Sequence, residues 1–329
     1  MTLARLALLL TLTAGLAAGC GTGTGFLIRP VPASQELVET TVSADPGWMV
    51  ADKVAVVDVD GLLMNVRRQG LLGPQDNPLS LFVEKLDKVQ KDLCVKAVVL
   101  RINSPGGAVT ATDLMYRRLA ELKKERKIPV VAMIEDVGAS GAYYIATGAD
   151  TILVAPTSVT GSIGVIIQTF SLAGTLDKLG ITTKAVTSGP MKDMGSPFKP
   201  LDEGDRAVLQ AMVTEFYGRF VDVVAAGRPA LKAEAVRTLA DGRVYTGTQA
   251  VANGLADAEG DMKTAVAEAK KRAGLKAAKV VMYDRPWGHK ANVYSAAGLG
   301  GMQINLLNVS APDLAAWFQP QFLYLWTGN

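Results

Sequence analysis

The sequence predicts an α/β protein built on a mostly parallel sheet, with βαβ units and flanking helices. Three observations carry that expectation. Short apolar runs rich in β-branched residues recur at Lys53–Val59, Lys96–Ile102 and Ile128–Ile134, and they have the length and composition of buried strands. Between them stand Gly-rich turns and stretches of helical spacing, the alternation that builds parallel sheets. With 329 residues, 49% of them apolar, the chain has core enough for one large domain or two modest ones.

Composition also excludes some functions. The charge balance is 34 − 31 = +3, which gives no reason to expect a nucleic-acid partner. One histidine and two cysteines are too few for a protein-built zinc or iron site, so no metal or cofactor is expected.

The elements follow in order. Residues 1–20 carry one early basic residue, Arg5, then an apolar stretch, then small residues ending in Ala-Gly-Cys, the build of a secretory signal. Leu16-Ala-Ala-Gly-Cys20 resembles a bacterial lipobox, with Ala17 where Leu is common; lipidation of Cys20 would anchor the chain to a membrane. An uncleaved anchor and an ordinary signal with an incidental cysteine remain the alternatives. Gly21, with no Asp after the cysteine, favours the outer membrane in a two-membrane bacterium. Residues 21–48 are rich in Gly, Thr, Pro and Ser and are expected to be a tether.

After the strand at 53–59 comes a loop, then helical spacing over Leu79–Asp92. The strand at 96–102 runs into Asn103-Ser-Pro-Gly-Gly107, a dense turn signal, and a helix over Thr110–Lys127. The strand at 128–134 leads to Asp136-Val-Gly-Ala-Ser-Gly-Ala-Tyr-Tyr144. Short strands are expected at Thr151–Val154, Ser162–Gln168 and Thr182–Thr187, with a helix at Leu172–Leu179 between the last two. Ser188–Pro197 is a polar, Gly/Pro-punctuated loop with Lys192 in its middle. Asp202–Ala226 is a long amphipathic helix with an acidic first turn, favourable for its dipole. Helices at Leu231–Leu239, Thr248–Asn253 and Asp261–Ala273 and a strand at Lys279–Tyr283 complete the pattern. Residues 286–329 are aromatic and apolar, with Phe322–Trp326 expected to dock. There is no internal repeat, so one chain holds a single active unit.

Ser140 stands where a strand breaks into a helix. Gly138, Ala139, Gly141 and Ala142 let the backbone turn sharply there. A hydroxyl on such a turn projects as a nucleophile, with free backbone N–H groups nearby for an oxyanion. The plainer reading is a Gly/Ser turn with a helix cap.

Five strings now bear on the choice: Asn103–Gly107, Gly138–Ala146, Thr160-Gly-Ser-Ile-Gly-Val165, Ser188–Pro197 and Gly242-Arg-Val-Tyr-Thr-Gly247. In this order they resemble the signal peptide peptidase A family, serine proteases related to the caseinolytic protease and crotonase folds. The resemblance covers about residues 53–285. It implies a Ser/Lys dyad, with Ser140 as nucleophile and Lys192 as general base. It implies an oxyanion hole from the N–H groups of Gly107 and Gly141, and Ser162 as a hydrogen-bond partner of the base. A plain turn serine is the even alternative for Ser162, and Gly106–Gly107 also serves as a strand-to-helix turn.

Independent chemistry agrees. A Ser-His-Asp arrangement needs a histidine, and the single one, His289, lies outside the sheet pattern, so an acyl-transfer serine needs another base. A lysine fills that role when burial or loss of water lets it shed its proton; otherwise Lys192 is a solvated loop residue paired to Asp193. Asp193 beside the amine would oppose catalysis. Its side chain is therefore expected to point away or to pair with another cation such as Arg219 or Arg243. Tyr143 and Tyr144 are expected to pack rather than to meet substrate.

The family further implies extended apolar peptide substrates such as signal-peptide remnants, and a homo-oligomer whose sites are completed by a neighbouring subunit. The expected organisation is a signal segment at 1–20, a tether at 21–48, a peptidase domain at 49–285, and a C-terminal segment at 286–329 docked on the oligomer. The chain would sit in a bacterial cell envelope with its catalytic domain exported. Two rivals use the same fold: a crotonase-like enzyme acting on acyl thioesters, and a non-catalytic envelope scaffold.

Overall fold

Continuous apolar runs bury both faces of a strand, and the central strands here are covered on both sides. The protein is represented by a computed structural model that describes residues 36–66, 69–70, 73–74, 76–285 and 322–327. The chain runs β1 (Val38–Ala44), β2 (Lys53–Leu63), a small hairpin of β3 (Gln69–Gly70) and β4 (Gly73–Pro74), α1 (Pro78–Lys91), β5 (Val95–Ala108), α2 (Val109–Arg126), β6 (Val130–Ala139) and α3 (Gly141–Ala146). It continues with β7 (Thr151–Val154), β8 (Val159–Gly161), β9 (Ile166–Ile167), α4 (Ala173–Lys178), α5 (Glu203–Gly227), α6 (Ala233–Leu239), β10 (Val244–Thr246), α7 (Gly247–Ala252), β11 (Ala258–Glu259), α8 (Met262–Arg272), β12 (Lys279–Asp284) and β13 (Phe322–Leu325).

The main sheet has the order β1-β12-β2-β5-β6-β7-β11. Every pairing from β12 to β11 is parallel, and β1 closes the edge antiparallel. Period-2 alternation sends neighbouring residues to opposite layers. Ala55, Val57, Leu100 and Ile102 face a layer that includes α1, α2, α3 and α5. Val54, Val56, Val99 and Met133 face Met262, Ala265 and Ala269 of α8. Asp58 of β2 binds two cations, Lys85 of α1 at 2.8 Å and Arg101 of β5 at 2.7 Å, all nearly buried.

Helix ends follow local chemistry. Asn77 caps α1 ahead of Pro78, Asp202 caps α5 by accepting from the Asp205 N–H at 2.8 Å, and Thr246 with Gln249 forms a capping box on α7.

Five expectations differ from the structure. The stretch assigned to a tether ends in β1, whose pairing with β12 needs no internal apolar pattern because its side chains stay largely exposed. Asn103–Gly107 is not a free turn but the extended end of β5, paired with β2 across a bulge. The strand expected at Ser162–Gln168 shrinks to β9, and Thr182–Thr187 is exposed and forms no strand; alternation there meets no neighbouring strand among the described residues. The docked C-terminal residues pair with this chain's own β5 and β9. The signal segment, Cys20, His289 and most of the 286–329 segment lie outside the described residues, and among the described residues no helix is long and apolar enough to cross a membrane.

Candidate active site

Strand β6 ends at Ala139 and α3 begins at Gly141, so Ser140 alone makes the corner. Its backbone sits at φ 53° and ψ −116°, a region that an L-residue occupies only when its surroundings hold it there. They do: the Ser140 N–H donates to the Gly161 carbonyl at 2.7 Å, and its carbonyl accepts from the Tyr144 N–H at 2.9 Å. The hydroxyl makes no cap. Ser140 Oγ is buried and has no hydrogen-bond partner among the described residues. A buried orphan hydroxyl on a forced corner has the attributes of a reacting group rather than of a cap.

The end of β5 comes up against this corner. A Cβ built on Gly106, which sits at φ +100°, would lie 2.7 Å from the Gly141 nitrogen; one built on Gly141 would lie 3.2 Å from the Gly107 nitrogen. Only bare backbone fits, and it brings the two amides together where an oxyanion would be held. Thr112 of α2 adds a second buried hydroxyl without a partner beside Gly141.

Strand β13 runs antiparallel along that backbone, with Tyr324 opposite Gly107 and Leu325 opposite Gly106. On its other side Phe322 and Leu323 pair with β9. The chain thus lies between two strands, as a peptide does when it is added to a sheet. The Tyr324 carbonyl oxygen would be 2.1 Å from a Cβ on Gly106 and 3.1 Å from one on Gly141, so it faces both glycines. The Tyr324 ring is fully buried. It stacks on Tyr144 at 5.3 Å, lies 4.7 Å from Phe220, and its hydroxyl donates to the Phe216 carbonyl at 2.8 Å. Burial pushes its phenol up from the ordinary value. Past Tyr324, a cavity of about 490 Å³ opens between Ser162–Ile166, Ala240–Gly242 and Leu325–Thr327. The arrangement presents a buried unpartnered hydroxyl, a pair of backbone amides, a deep aromatic pocket and a strand-shaped groove.

Sequence comparison places this geometry in a family. Residues 122–276 match the model described as Peptidase family S49. A protein of Enterococcus faecium that carries the name signal peptide peptidase SppA is 38% identical over 250 residues, 76% of this chain and 71% of its own length. A protease of Methanocaldococcus jannaschii is 36% identical over 65% of this chain and 68% of its own length, and a protease of Synechocystis 37% over 69% and 77%. The chain belongs to the signal peptide peptidase A family of S49 peptidases. It is a serine protease of that family with the expected α/β fold.

The other residues singled out in this S49 chain stand as follows. Lys192 is exposed on its loop; its N–H donates to the Gly189 carbonyl at 3.2 Å, but its amine makes no hydrogen bond or ion pair among the described residues and is not bonded to Ser140. Asp193 is paired away from it, as expected, but with Lys199 at 2.9 Å rather than with an arginine. Arg219 is taken by Asp113 at 2.6 Å, and Arg243 is taken by Asp241. Ser162 is nearly buried at φ 49°, its N–H donating to the Arg243 carbonyl at 2.8 Å, and it lines the cavity beyond Tyr324.

Of the two tyrosines, Tyr143 packs as expected, its hydroxyl donating to the Leu255 carbonyl at 2.8 Å. Tyr144 does more: it forms a wall of the aromatic pocket, with its hydroxyl donating to Asp113 at 2.8 Å. Burial, aided by that carboxylate, pushes its phenol up. Phe216 and Phe220 of α5 complete the pocket, and the only signal for them is an aromatic spacing of four along a long helix.

Proposed function

We propose that the chain is an envelope-anchored endopeptidase that cleaves extended apolar peptides, including signal-peptide remnants, with a Ser140/Lys192 dyad. The observation that carries this reading is β13: a peptide strand already lies in the groove with one carbonyl against Gly106 and Gly141, next to the orphan hydroxyl of Ser140. Ser140 Oγ attacks such a carbonyl while Lys192 Nζ takes the hydroxyl proton. The N–H groups of Gly107 and Gly141 hold the oxyanion. The intermediate collapses, Lys192 returns the proton to the leaving amine, and an acyl-enzyme remains for water to hydrolyse by the same steps.

Lys192 reaches its serine from a second copy of the chain. Its exposed position supports this. So does the run of exposed apolar residues around it, which includes Phe170, Leu179, Ile181, Val186, Met191 and Phe198 and gives a neighbouring subunit a surface to cover. Ser162, which lines the cavity, accepts or donates a hydrogen bond once the amine enters. Cys20 supplies the membrane anchor by lipidation.

A serine-reactive covalent probe tests the dyad. Wild type is labelled, and Ser140→Ala and Lys192→Ala are not. Equal labelling of all three rejects the mechanism. Mass spectrometry of the mature N-terminus tests the anchor; an unmodified Cys20 rejects it.

A further inference from the structure

Lys199 sits seven residues after Lys192 on the same loop and is surrounded by carboxylates. Its Nζ lies 2.9 Å from Asp193 Oδ1, 2.9 Å from Asp205 Oδ2 and 3.5 Å from Asp202 Oδ2. Asp205 is fully buried in the first turn of α5, so it is a fixed anchor. Asp193 is the chain neighbour of Lys192. Lys199 therefore ties the carboxylate next door to Lys192 back onto α5. Its amine is pushed up from the ordinary value by the hydrogen bonds to Asp193 and Asp205, which keeps the tie charged.

We propose that Lys199 is a positioning residue: it holds Asp193 against α5 and so keeps that carboxylate off the neighbouring Lys192 amine. The inference rests on Lys192 being the base. A carboxylate about 4–6 Å from an ammonium favours its charged form by roughly 1–3 pH units, and side chains on adjacent loop residues readily come that close. The charged groups on the surrounding elements are Asp193 and Lys199 on the loop itself and Asp202, Glu203, Asp205 and Arg206 in the first turn of α5. To these are added Asp177, Lys178 and Lys184 on the segment hydrogen-bonded to the loop through Leu172 and Thr183. Glu203 and Arg206 satisfy each other at 2.8 Å, and Lys199 serves the three aspartates.

The test is the pH dependence of Ser140 acylation by a serine-reactive probe, run on the full chain. Lys199→Met moves the acid limb up by about one pH unit, a roughly tenfold slower reaction below the limb. Adding Asp193→Asn to Lys199→Met returns the limb to its wild-type place, and Lys199→Arg keeps it there. Should Lys199→Met not fold, Lys199→Gln removes the charge while leaving a donor for the buried Asp205. An unshifted limb without the lysine, or a shift that survives Asp193→Asn, overturns the inference. So does a downward shift in Asp193→Asn alone, because it means that Asp193 already acts on Lys192. Labelling that persists in Lys192→Ala rejects the base itself; a silent Lys192→Ala with an unshifted Lys199→Met rejects only the role of Lys199.

Discussion

Replacing Gly107 by alanine tests the backbone of the site directly. The new Cβ would stand 1.9 Å from the Leu63 carbonyl oxygen and 2.6 Å from the Leu63 nitrogen. Both are main-chain atoms of β2, so no rotamer change relieves the clash. Ordinary contact begins near 3.4 Å, so the strands must part by about 1.5 Å at this point. That displacement loosens the β2–β5 ladder where Leu63 faces Gly107. Two ladder hydrogen bonds at about 1 kcal/mol each set the stability loss near 2 kcal/mol. The proposed oxyanion hole predicts a larger catalytic loss, because the Gly107 N–H is drawn off its place; losing one such donor costs roughly 100- to 1000-fold in turnover. The assay pairs kcat on a chromogenic peptide with urea denaturation. Gly61→Ala is the control: its φ is +63°, but nothing lies within 4 Å of the added carbon. It loses about 1 kcal/mol to backbone strain and keeps full kcat. A Gly107→Ala enzyme with wild-type kcat, or a Gly61→Ala enzyme equally disabled, refutes the reasoning.

Other outcomes follow from the same structure. Asp58→Ala removes the buried carboxylate that Lys85 and Arg101 share and costs about 3–5 kcal/mol, read by urea denaturation; a loss under 1 kcal/mol contradicts the buried pairing. Tyr324→Ala empties the aromatic pocket, loosens β13 and speeds labelling of Ser140 by the serine-reactive probe, whereas a synthetic Phe-Leu-Tyr-Leu-Trp peptide slows labelling of that variant. Unchanged rates in both experiments contradict occupancy of the groove by β13. At Asp257, burial pushes the carboxyl up, but the Arg228 guanidinium and the Ile152 N–H outweigh it and hold it below the usual range. A depressed carboxyl contributes stability above its unfolded value, near pH 4, and loses it as pH falls through the folded value. Asp257→Asn is therefore less stable than wild type at pH 7, and the gap closes in acid; a gap that stays constant with pH rules out this linkage.

Much of the fold was legible because it follows local rules. Buried parallel strands are continuous apolar runs, and Asn77, Asp202 and Asp261 mark helix starts within a residue. The strained corner at Ser140 was legible because small residues crowd around one serine at a strand's end. What stayed hidden depends on partners distant in sequence. Val38–Ala44 is a strand only because β12, some 240 residues later, has an open edge. The aromatic pocket draws Tyr144, Phe216 and Phe220 from two helices, and nothing local distinguishes these from core residues. Asp193 was expected to avoid Lys192, but the cation that captures it lies six residues ahead, and proximity along the loop is no guide to which way a lysine turns.

The way β13 is gripped has a consequence for diet. Much of the hold is on main-chain amides, as where the Trp326 N–H donates to the Pro105 carbonyl at 2.9 Å. Nearly every residue can offer that bond, so on the proposed reading of β13 as a stand-in for substrate a guest is accepted for being extended and unstructured more than for its spelling. The exception is proline, which has no N–H to give. A chain with proline two places beyond the carbonyl at Gly141 leaves Pro105 bare and escapes the blade, whatever its other side chains.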